Sequence, residues 1–186
     1  GDFADWQARW ASEGHRIEEV ELDVPDAAIL VDGVPMGLRG RIDRIDVDEE
    51  TGERLLLDYK TSDRAKKPEQ THQSGPAEHP EWVDLQLPLY RELAAARGIG
   101  PVGGVGYVNL PRDAGGVHAA IASWDESAFA EARAVVEEVV RAIRAGRFYP
   151  PADPPPAFDD FAAICGVEQF VPDALDETPD EEGAEP

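Results

Sequence analysis

The sequence has little cysteine, with one residue, Cys165, among 186. A single thiol cannot form an internal disulfide, and it cannot by itself hold a structural zinc ion or an iron–sulfur cluster. The sequence also lacks the run of about 18 apolar residues that a membrane-spanning helix needs, and it does not open with a signal peptide. We therefore expect a cytoplasmic protein that has no disulfide and no membrane contact.

Basic residues are also scarce, because 17 Lys and Arg stand against 39 Asp and Glu, for a net charge of −22. Such a charge argues against a protein that binds nucleic acid with its whole surface, since phosphate contacts need Lys and Arg. The charge is uneven, however. The basic residues concentrate in one window, which contains Arg39, Arg41, Arg44, Lys60, Arg64, Lys66 and Lys67.

The hydrophobic pattern divides the chain into three parts. Residues 1–150 are predicted to form one mixed α/β domain, residues 151–172 a proline-rich extension with a short helix, and residues 173–186 a disordered acidic tail. The chain begins abruptly, with no cap and no initiator methionine. We expect it to be the C-terminal part of a longer protein.

Within the first part, helical spacing predicts helices in DFADWQARWASEG, in EWVDLQLPLYRELAAARGIG with its start near Pro88, and in SWDESAFAEARAVVEEVVRAIRAGRF. Ser123 and Glu126 are predicted to cap the last of these as a capping box. Residues 63–80 are polar, which predicts a long surface loop with His72 and His79 as ordinary loop residues. Strands are predicted in HRIEEVELDV, on either side of an Asp32-Gly33 turn in AAILVDGVPMGLRGRIDRIDV, and in ERLLLDYKT, VGGVGYVNLP and GVHAAIAS.

The most informative stretch is GRIDRIDVDEETGERLLLDYKTSD, residues 40–63. Because side chains alternate along a strand, Asp58 and Lys60 share one face and Tyr59 points to the other. Antiparallel pairing of the preceding strand can bring Asp43 beside Asp58. Two carboxylates and an ammonium group suit Mg²⁺ chemistry on a phosphate. A D-x-K tripeptide is more often a surface ion pair, but the three leucines before Asp58 favour the metal site, since they place these charges at the end of a buried strand.

Three segments in this order, GRIDRID, LLLDYKTSD and DLQLPLYRELA, resemble the RecB/AddB-like branch of the PD-(D/E)XK nuclease superfamily. The resemblance covers about residues 16–150. It implies an α/β nuclease core with a central mixed sheet of about five strands flanked by helices. It also implies a Mg²⁺ or Mn²⁺ ion held by two carboxylates and a main-chain carbonyl, and five catalytic residues. The implied metal ligands are Asp43, Asp58 and the Tyr59 carbonyl, and the implied catalytic residues are Asp43, Asp58, Lys60, Gln86 and Tyr90.

The chain also departs from the family pattern. Relatives carry a metal-binding histidine on an upstream helix, and the nearest candidate here is His15, which is either such a ligand or an ordinary surface histidine. Many relatives hold an iron–sulfur cluster with four cysteines. Cys165 is alone, so we expect no cluster and interpret it as a small core residue.

Other polar residues have two readings each. Glu21 either joins the metal ligands or pairs with an arginine. Arg41 either contacts a DNA phosphate or forms a salt bridge with Glu21 or Asp58. Asp46, three positions past Asp43, should face away from the site and have a structural or turn role rather than a place among the metal ligands. The basic and hydroxyl residues around the start of the loop predicted at 63–80 either contact the DNA backbone or form a solvated basic patch. The DNA contacts that we expect are Arg41, Thr61, Arg64, Lys66 and Lys67.

These observations favour a metal-dependent DNA exonuclease of recombinational repair. The resemblance implies that a helicase-like module or subunit feeds it single-stranded DNA ends, and the acidic surface agrees, because that partner would supply most of the DNA affinity. The alternative is a catalytically silent nuclease-like module that binds DNA ends or a repair partner. A third interpretation, a sequence-specific restriction enzyme, needs a base-reading element for which so short a chain has little room.

Overall fold

The computed structural model describes residues 2–62, 64–76, 78–112 and 116–147. The predicted proline-rich extension, its short helix, the acidic tail and Cys165 lie outside these residues. In chain order, the described residues form α1 (Asp2–Ser12), β1 (His15–Val31), β2 (Val34–Asp48), β3 (Arg54–Lys60), α2 (Pro68–His72), β4 (Gln73–Ser74), β5 (Glu81–Trp82), α3 (Gln86–Ala96), β6 (Val102–Asn109), β7 (His118–Ile121) and α4 (Glu126–Arg144).

The first hairpin joins β1 and β2 at the predicted turn. Asp32 and Gly33 have φ angles of 54° and 76°, and two successive positive φ angles are typical of the two-residue turn that matches the twist of a hairpin. The prediction of two separate strands before this turn is wrong, because β1 runs unbroken over 17 residues. A register shift between Val24 and Ala27 interrupts its pairing with β2 around Pro25. A shift there accommodates a residue that has no N–H to donate.

A five-stranded mixed sheet in the order β1-β2-β3-β6-β7 forms the centre of the fold. The predicted central strand, β3, pairs antiparallel with β2 and parallel with β6. Its leucines explain this position, because Leu56 and Leu57 are fully buried, one in each of two core clusters. The expected fold class is therefore confirmed.

Helices cover both faces of the sheet. On one face, Trp6 of α1 packs against Leu57 and Val108. On the other face, α3 contributes Leu87, Tyr90, Leu93 and Ala94 to the main core cluster. No helix in the described part of the chain is long and apolar enough to cross a membrane.

Two local predictions are wrong. The N-cap of α4 is Asp125, whose carboxylate accepts a hydrogen bond from the Ala128 N–H at 2.9 Å, so Ser123 and Glu126 form no capping box. Ser123 instead donates its N–H and hydroxyl to Glu69 of α2. The predicted loop at 63–80 contains α2 and β4, and His72 within it is fully buried. His79 is exposed, as expected of a loop residue.

Candidate active site

Two aspartates meet where β2 and β3 run side by side. Arg44 pairs with Leu57 in the antiparallel register, so Asp43 and Asp58 occupy the next position across the two strands. The Asp43 carboxylate accepts a hydrogen bond from the Tyr59 main-chain N–H at 3.1 Å. Asp58 is 5% exposed and Asp43 is half-buried. The fold thus brings together the two carboxylates that the sequence placed on neighbouring strands.

Lys60 lies on the same face as Asp58, and its Nζ is 2.8 Å from Asp58 Oδ2. The Tyr59 side chain points to the opposite face, where it packs in the cluster that contains Trp6 and Val108. The alternation along β3 therefore separates Tyr59 from the two charged side chains, as the sequence predicts. The Tyr59 main chain remains at the site through its N–H.

Helix α3 supplies two donors to the other carboxylate oxygen of Asp58. Gln86 Nε2 donates to Asp58 Oδ1 at 2.8 Å, and the Tyr90 hydroxyl donates to the same atom at 3.3 Å. Lys60 Nζ also donates to Gln86 Oε1 at 3.4 Å. These bonds fix the orientation of the Asp58 carboxylate and direct Oδ2 towards Lys60.

Negatively charged side chains lie close together in the site and raise the pKa values of their neighbours. Burial raises the pKa of Asp43, and the negative charges of Asp58 and Glu21 raise it further, although the Tyr59 N–H acts in the opposite direction. Burial and the charge of Asp58 raise the pKa of Tyr90 well above its usual value, so its hydroxyl keeps its proton. A cation among these groups would offset the repulsion between Asp43 and the charges of Asp58 and Glu21.

The donor set suits a hard divalent cation. Asp58 Oδ2 is buried and receives no well-directed hydrogen bond, even though Lys60 Nζ is in contact with it. Within the described residues, no group of three or more His, Cys, Asp or Glu side chains is placed to hold a metal ion. Asp43 and Asp58 are the two carboxylates here that could hold such an ion. Mg²⁺ commonly binds in this way, through one or two carboxylates and its own waters.

Glu21 of β1 lies opposite Asp43 of β2, because Val20 pairs with Arg44 and Leu22 pairs with Ile42. Its φ angle of 51° is rare for a residue with a side chain, and it interrupts the regular strand next to the site. Arg41 Nε is 3.0 Å from Glu21 Oε2, and both side chains are more than half exposed. The sequence left two interpretations open for each residue, and in the structure Glu21 and Arg41 form a salt bridge with each other.

Asp46 belongs to a different structure on the far face of the sheet. It is fully buried and forms a bidentate ion pair with Arg44, with two contacts of 2.7 Å. It also accepts a hydrogen bond from Trp10 Nε1 at 2.6 Å. The structural role predicted for Asp46 is confirmed. Arg44, which the sequence grouped with the basic window, is not available to a ligand.

His15 lies far from the carboxylates. It pairs with Asp48, five residues along β2 from Asp43, which corresponds to roughly 16 Å at the rise of a strand. Its ring stacks on Trp10 at 3.8 Å between centroids. His15 is thus no ligand of this site.

The segment after β3 carries the remaining basic candidates. Arg64, Lys66 and Lys67 are exposed, as is Thr61. The Asn109 side chain fixes the segment, because its Oδ1 accepts from the Lys66 N–H at 2.8 Å and its Nδ2 donates to the Lys66 carbonyl at 3.0 Å. Asn109 pairs with Lys60 in the parallel register, so the basic segment is anchored beside the end of β3.

Three residues that the sequence analysis missed also surround the site. Tyr107 pairs with Asp58 across the parallel strands, and Lys60 Nζ lies 4.8 Å from the centre of its ring. His72 contacts the Tyr107 hydroxyl, and Asp84 contacts both His72 and Gln86. No periodicity marks these residues, because they reach the site only through long-range pairing.

The family model described as the PD-(D/E)XK nuclease superfamily matches residues 2–167. The sequence matches no curated protein significantly. Among solved structures, the crystal structure of SSO0001 is similar over 92% of this chain, with 16% sequence identity and a TM-score of 0.41. This chain covers 66% of that chain, slightly less than two thirds of its length.

Proposed function

This chain belongs to the PD-(D/E)XK nuclease superfamily, and on that premise we propose that it is a divalent-metal-dependent deoxyribonuclease. The observation that carries the proposal is the cluster of Asp43, Asp58 and Lys60, in which α3 orients one carboxylate oxygen of Asp58 and leaves the other for a cation. Repulsion between Asp43 and Asp58 supports the same conclusion. A site built only for stability would not bury two carboxylates together.

In the proposed reaction, Asp43, Asp58 and the Tyr59 carbonyl would hold Mg²⁺ or Mn²⁺. Such an ion would supply Lewis acidity that lowers the pKa of a water and would offset negative charge on the phosphate. Lys60 orients the attacking water and stabilises the charge that develops on the phosphate oxygens. The water oxygen forms a bond to phosphorus as the bridging P–O bond breaks. One proton of the water is released and the leaving oxygen takes one up, giving a terminal phosphate and a hydroxyl.

We assign Gln86 and Tyr90 to the support of Asp58, since each donates to its Oδ1. Loss of such partners of metal ligands usually costs 10- to 100-fold in metal affinity or activity. Gln86→Leu should therefore raise the Mg²⁺ concentration for half-maximal cleavage by roughly 10-fold or more. Tyr90→Phe should do so less, because its hydrogen bond is longer. Unchanged Mg²⁺ dependence in both variants would contradict this assignment.

The primary test compares the wild type with Asp58→Asn on labelled linear single- and double-stranded DNA, with Mg²⁺, Mn²⁺ or chelator. We expect metal-dependent cleavage by the wild type and a loss of more than about 100-fold in Asp58→Asn. Asp26→Asn is the matched control, because Asp26 is exposed and away from the site. Cleavage that persists in chelator or in Asp58→Asn would overturn the proposal.

The finer proposal is an exonuclease of recombinational repair that acts in the cytoplasm on single-stranded ends. Circular single-stranded DNA separates the possibilities, since an exonuclease degrades the linear form and leaves the circle intact. The net charge of −22 supports a helicase-like module or subunit as the source of DNA affinity. Adding that module should raise the rate of cleavage, and cleavage of circles at the linear rate would contradict the requirement for ends.

Contacts with the DNA backbone are proposed for exposed residues next to the site: Arg41, Thr61, Arg64, Lys66 and Lys67. Each lost phosphate contact lowers the slope of log affinity against log salt by about 0.7 on a single strand. The double variant Lys66→Gln, Lys67→Gln should thus reduce the slope by roughly 1.4. Arg97→Gln is a control, because Arg97 is exposed at the opposite end of α3 from Gln86. Equal slopes in all three proteins would exclude these contacts.

Glu21 is the remaining candidate ligand. We propose that it joins the metal ligands by leaving Arg41, because it already raises the pKa of Asp43 across the strand pair. Glu21→Gln should then weaken Mg²⁺ binding, as measured by titration calorimetry. Unchanged Mg²⁺ affinity would leave Glu21 as the partner of Arg41 alone.

The second candidate function is a silent nuclease-like module that binds DNA ends. The acidic surface and the distance of His15 from the carboxylates favour it. The same cleavage assay decides, because such a module would retain end-labelled DNA in a binding assay without cutting it at any metal concentration.

A further inference from the structure

Resting on the proposed function, we propose that Tyr107 and His72 are positioning residues that hold Lys60 and Gln86 in their places around Asp58. They do so through a closed series of contacts, here called the path, which begins and ends at Lys60. Lys60 and Gln86 both contact Asp58, and Tyr107 and His72 act on the site through these two residues. Its members, in order, are Lys60, Tyr107, His72, Asp84, Gln86 and again Lys60.

The first contact is between a cation and an aromatic ring. Lys60 Nζ lies 4.8 Å from the centre of the Tyr107 ring, within the 6 Å over which a ring face attracts an ammonium group. The ring is fully buried and belongs to the main core cluster, so it cannot move away. Lys60 Nζ is thereby held by three groups: the Tyr107 ring, Asp58 Oδ2 and Gln86 Oε1.

The second contact fixes the ring itself. The Tyr107 hydroxyl is 2.7 Å from His72 Nε2. Burial, with smaller contributions from nearby acidic groups, raises the pKa of Tyr107 to about 12, so at neutral pH the hydroxyl carries a proton to donate. His72 Nδ1 is 2.9 Å from the Asp84 carbonyl, which can only accept. Nδ1 therefore carries a hydrogen, and its contact of 3.3 Å with the Asp84 carboxylate agrees with this. In the tautomer that has its hydrogen on Nδ1, Nε2 accepts from the Tyr107 hydroxyl.

The third contact returns to the site. The carboxylate of Asp84 accepts from the Gln86 main-chain N–H at 2.7 Å, at the first residue of α3. The main-chain N–H groups of Val83 and Asp84 both donate to the His72 carbonyl. His72 consequently fixes the segment that leads into α3, and with it the side chain that donates to Asp58.

An apolar residue at position 72 would fill the same space without the cost of burying a polar ring. Both ring nitrogens of the fully buried His72 have partners, one on each side of the path. Fully satisfied buried networks of this kind specify one arrangement of the groups that they join. Here the joined groups are the lysine and the glutamine on either side of Asp58.

Two variants of Tyr107 separate positioning from packing. Tyr107→Phe and Tyr107→Leu both remove the hydroxyl and leave His72 Nε2 without its donor, so both should lower the urea midpoint of unfolding. Only Tyr107→Leu also removes the ring face under Lys60. We expect kcat to fall about 5- to 30-fold in Tyr107→Leu with an unchanged KM, and to fall about 2- to 4-fold in Tyr107→Phe, which breaks the path at His72 but keeps the ring under Lys60. Equal losses in both variants, or none in Tyr107→Leu, would overturn the proposal.

A second measurement needs neither metal nor DNA. In NMR spectra of the wild type, the ring current of Tyr107 should shift the Lys60 ε-methylene signals upfield, and the shift should persist in Tyr107→Phe and vanish in Tyr107→Leu. The nitrogen shifts of His72 should show the hydrogen on Nδ1. An unshifted Lys60 or a hydrogen on Nε2 in the wild type would refute the path even if the protein cleaves DNA. The expected spectra in a protein that does not cleave DNA would support the path and refute only the nuclease proposal.

Discussion

Replacing Asp46 with asparagine should destabilise the protein while leaving its chemistry intact, and replacing Asp43 should do the reverse. The two residues are three positions apart on β2 and project from opposite faces of the sheet. Asp46 is paired with Arg44 in the core, whereas Asp43 stands among the like charges of Asp58 and Glu21. The contrast tests whether the functional and the structural aspartate have been assigned correctly.

The cost of Asp46→Asn comes from Arg44. Burial alone would lower the pKa of the Arg44 guanidinium, but its hydrogen bonds to Asp46 reverse this and hold the pKa above its usual value. Both side chains are fully buried and joined by two contacts of 2.7 Å, so the variant leaves a buried charge without a counterion. Breaking a buried pair in this way costs about 3–5 kcal/mol. That is a large share of the 5–15 kcal/mol typical of a domain.

Asp43→Asn should have the opposite effect on the free energy of unfolding. A raised carboxyl pKa means that the folded protein disfavours the charged form, so ionised Asp43 costs stability at neutral pH. Asparagine removes that charge and keeps an oxygen that can accept the Tyr59 N–H. In metal-free buffer we expect Asp43→Asn to be as stable as the wild type or more stable, and we expect it to have lost metal-dependent cleavage.

Urea titration followed by tryptophan fluorescence in chelator at pH 7 measures both effects, with Asp26→Asn as an exposed control expected within about 0.5 kcal/mol of the wild type. The slope of each titration shows whether a variant changes the unfolded state instead. The reasoning is refuted if Asp46→Asn costs less than about 1 kcal/mol. It is equally refuted if Asp43→Asn is the less stable variant, or if folded Asp46→Asn has lost cleavage.

Three further predictions concern the fold. Gly106→Ala should lower the melting temperature, because its Cβ would overlap the Ala120 carbonyl oxygen on the neighbouring strand. An unchanged melting temperature would mean that β6 and β7 are not so closely paired. Asp125→Ala should cost about 1 kcal/mol of unfolding free energy in urea through the lost N-cap, and a neutral result would return the cap to Ser123. Burial raises the pKa of Glu69, but hydrogen bonds from Ser123 outweigh this effect and leave the pKa below the usual 4.5. The stability that Glu69 contributes is therefore present above pH 4.5, and it is lost as the pH falls through the lower pKa of the folded state. Glu69→Gln should therefore be less stable than the wild type at pH 7, and this difference in stability should shrink as the pH falls below 4.5. An equal difference at pH 7 and pH 3 would contradict this.

The central part of the site was predictable because it depends on local pairing. The three leucines of β3 predict a buried strand, and the short turn before it sets the antiparallel register with β2. Once that register is given, Asp43 must face Asp58, and alternation places Lys60 on the same side. The distinction between Asp43 and Asp46 follows from the same period of two.

The errors arise where a distant partner decides the local structure. A polar segment with glycine and proline reads as a loop, but His72 is buried because Tyr107, on a strand 35 positions away, supplies a partner for its ring. Ser123 has the chemistry of a cap, but Glu69 takes its hydrogen bonds and Asp125 caps α4 instead. Pro25 suggests a break between strands, and a register shift keeps β1 continuous. No window of the sequence contains both members of any such pair.

The parallel pairing of β3 with β6 also has a consequence for the order of folding. Asp43, Asp58 and Lys60 lie on one hairpin, which can close as soon as it leaves the ribosome. Tyr107 pairs with Asp58 from about 50 residues farther along the chain, and such distant contacts form slowly. In a refolding experiment, strand signal from the β2–β3 hairpin should therefore precede cleavage activity. The emerging chain would hold its reactive groups before it holds the scaffold that aligns them, and so could not cut DNA before the whole sheet is complete.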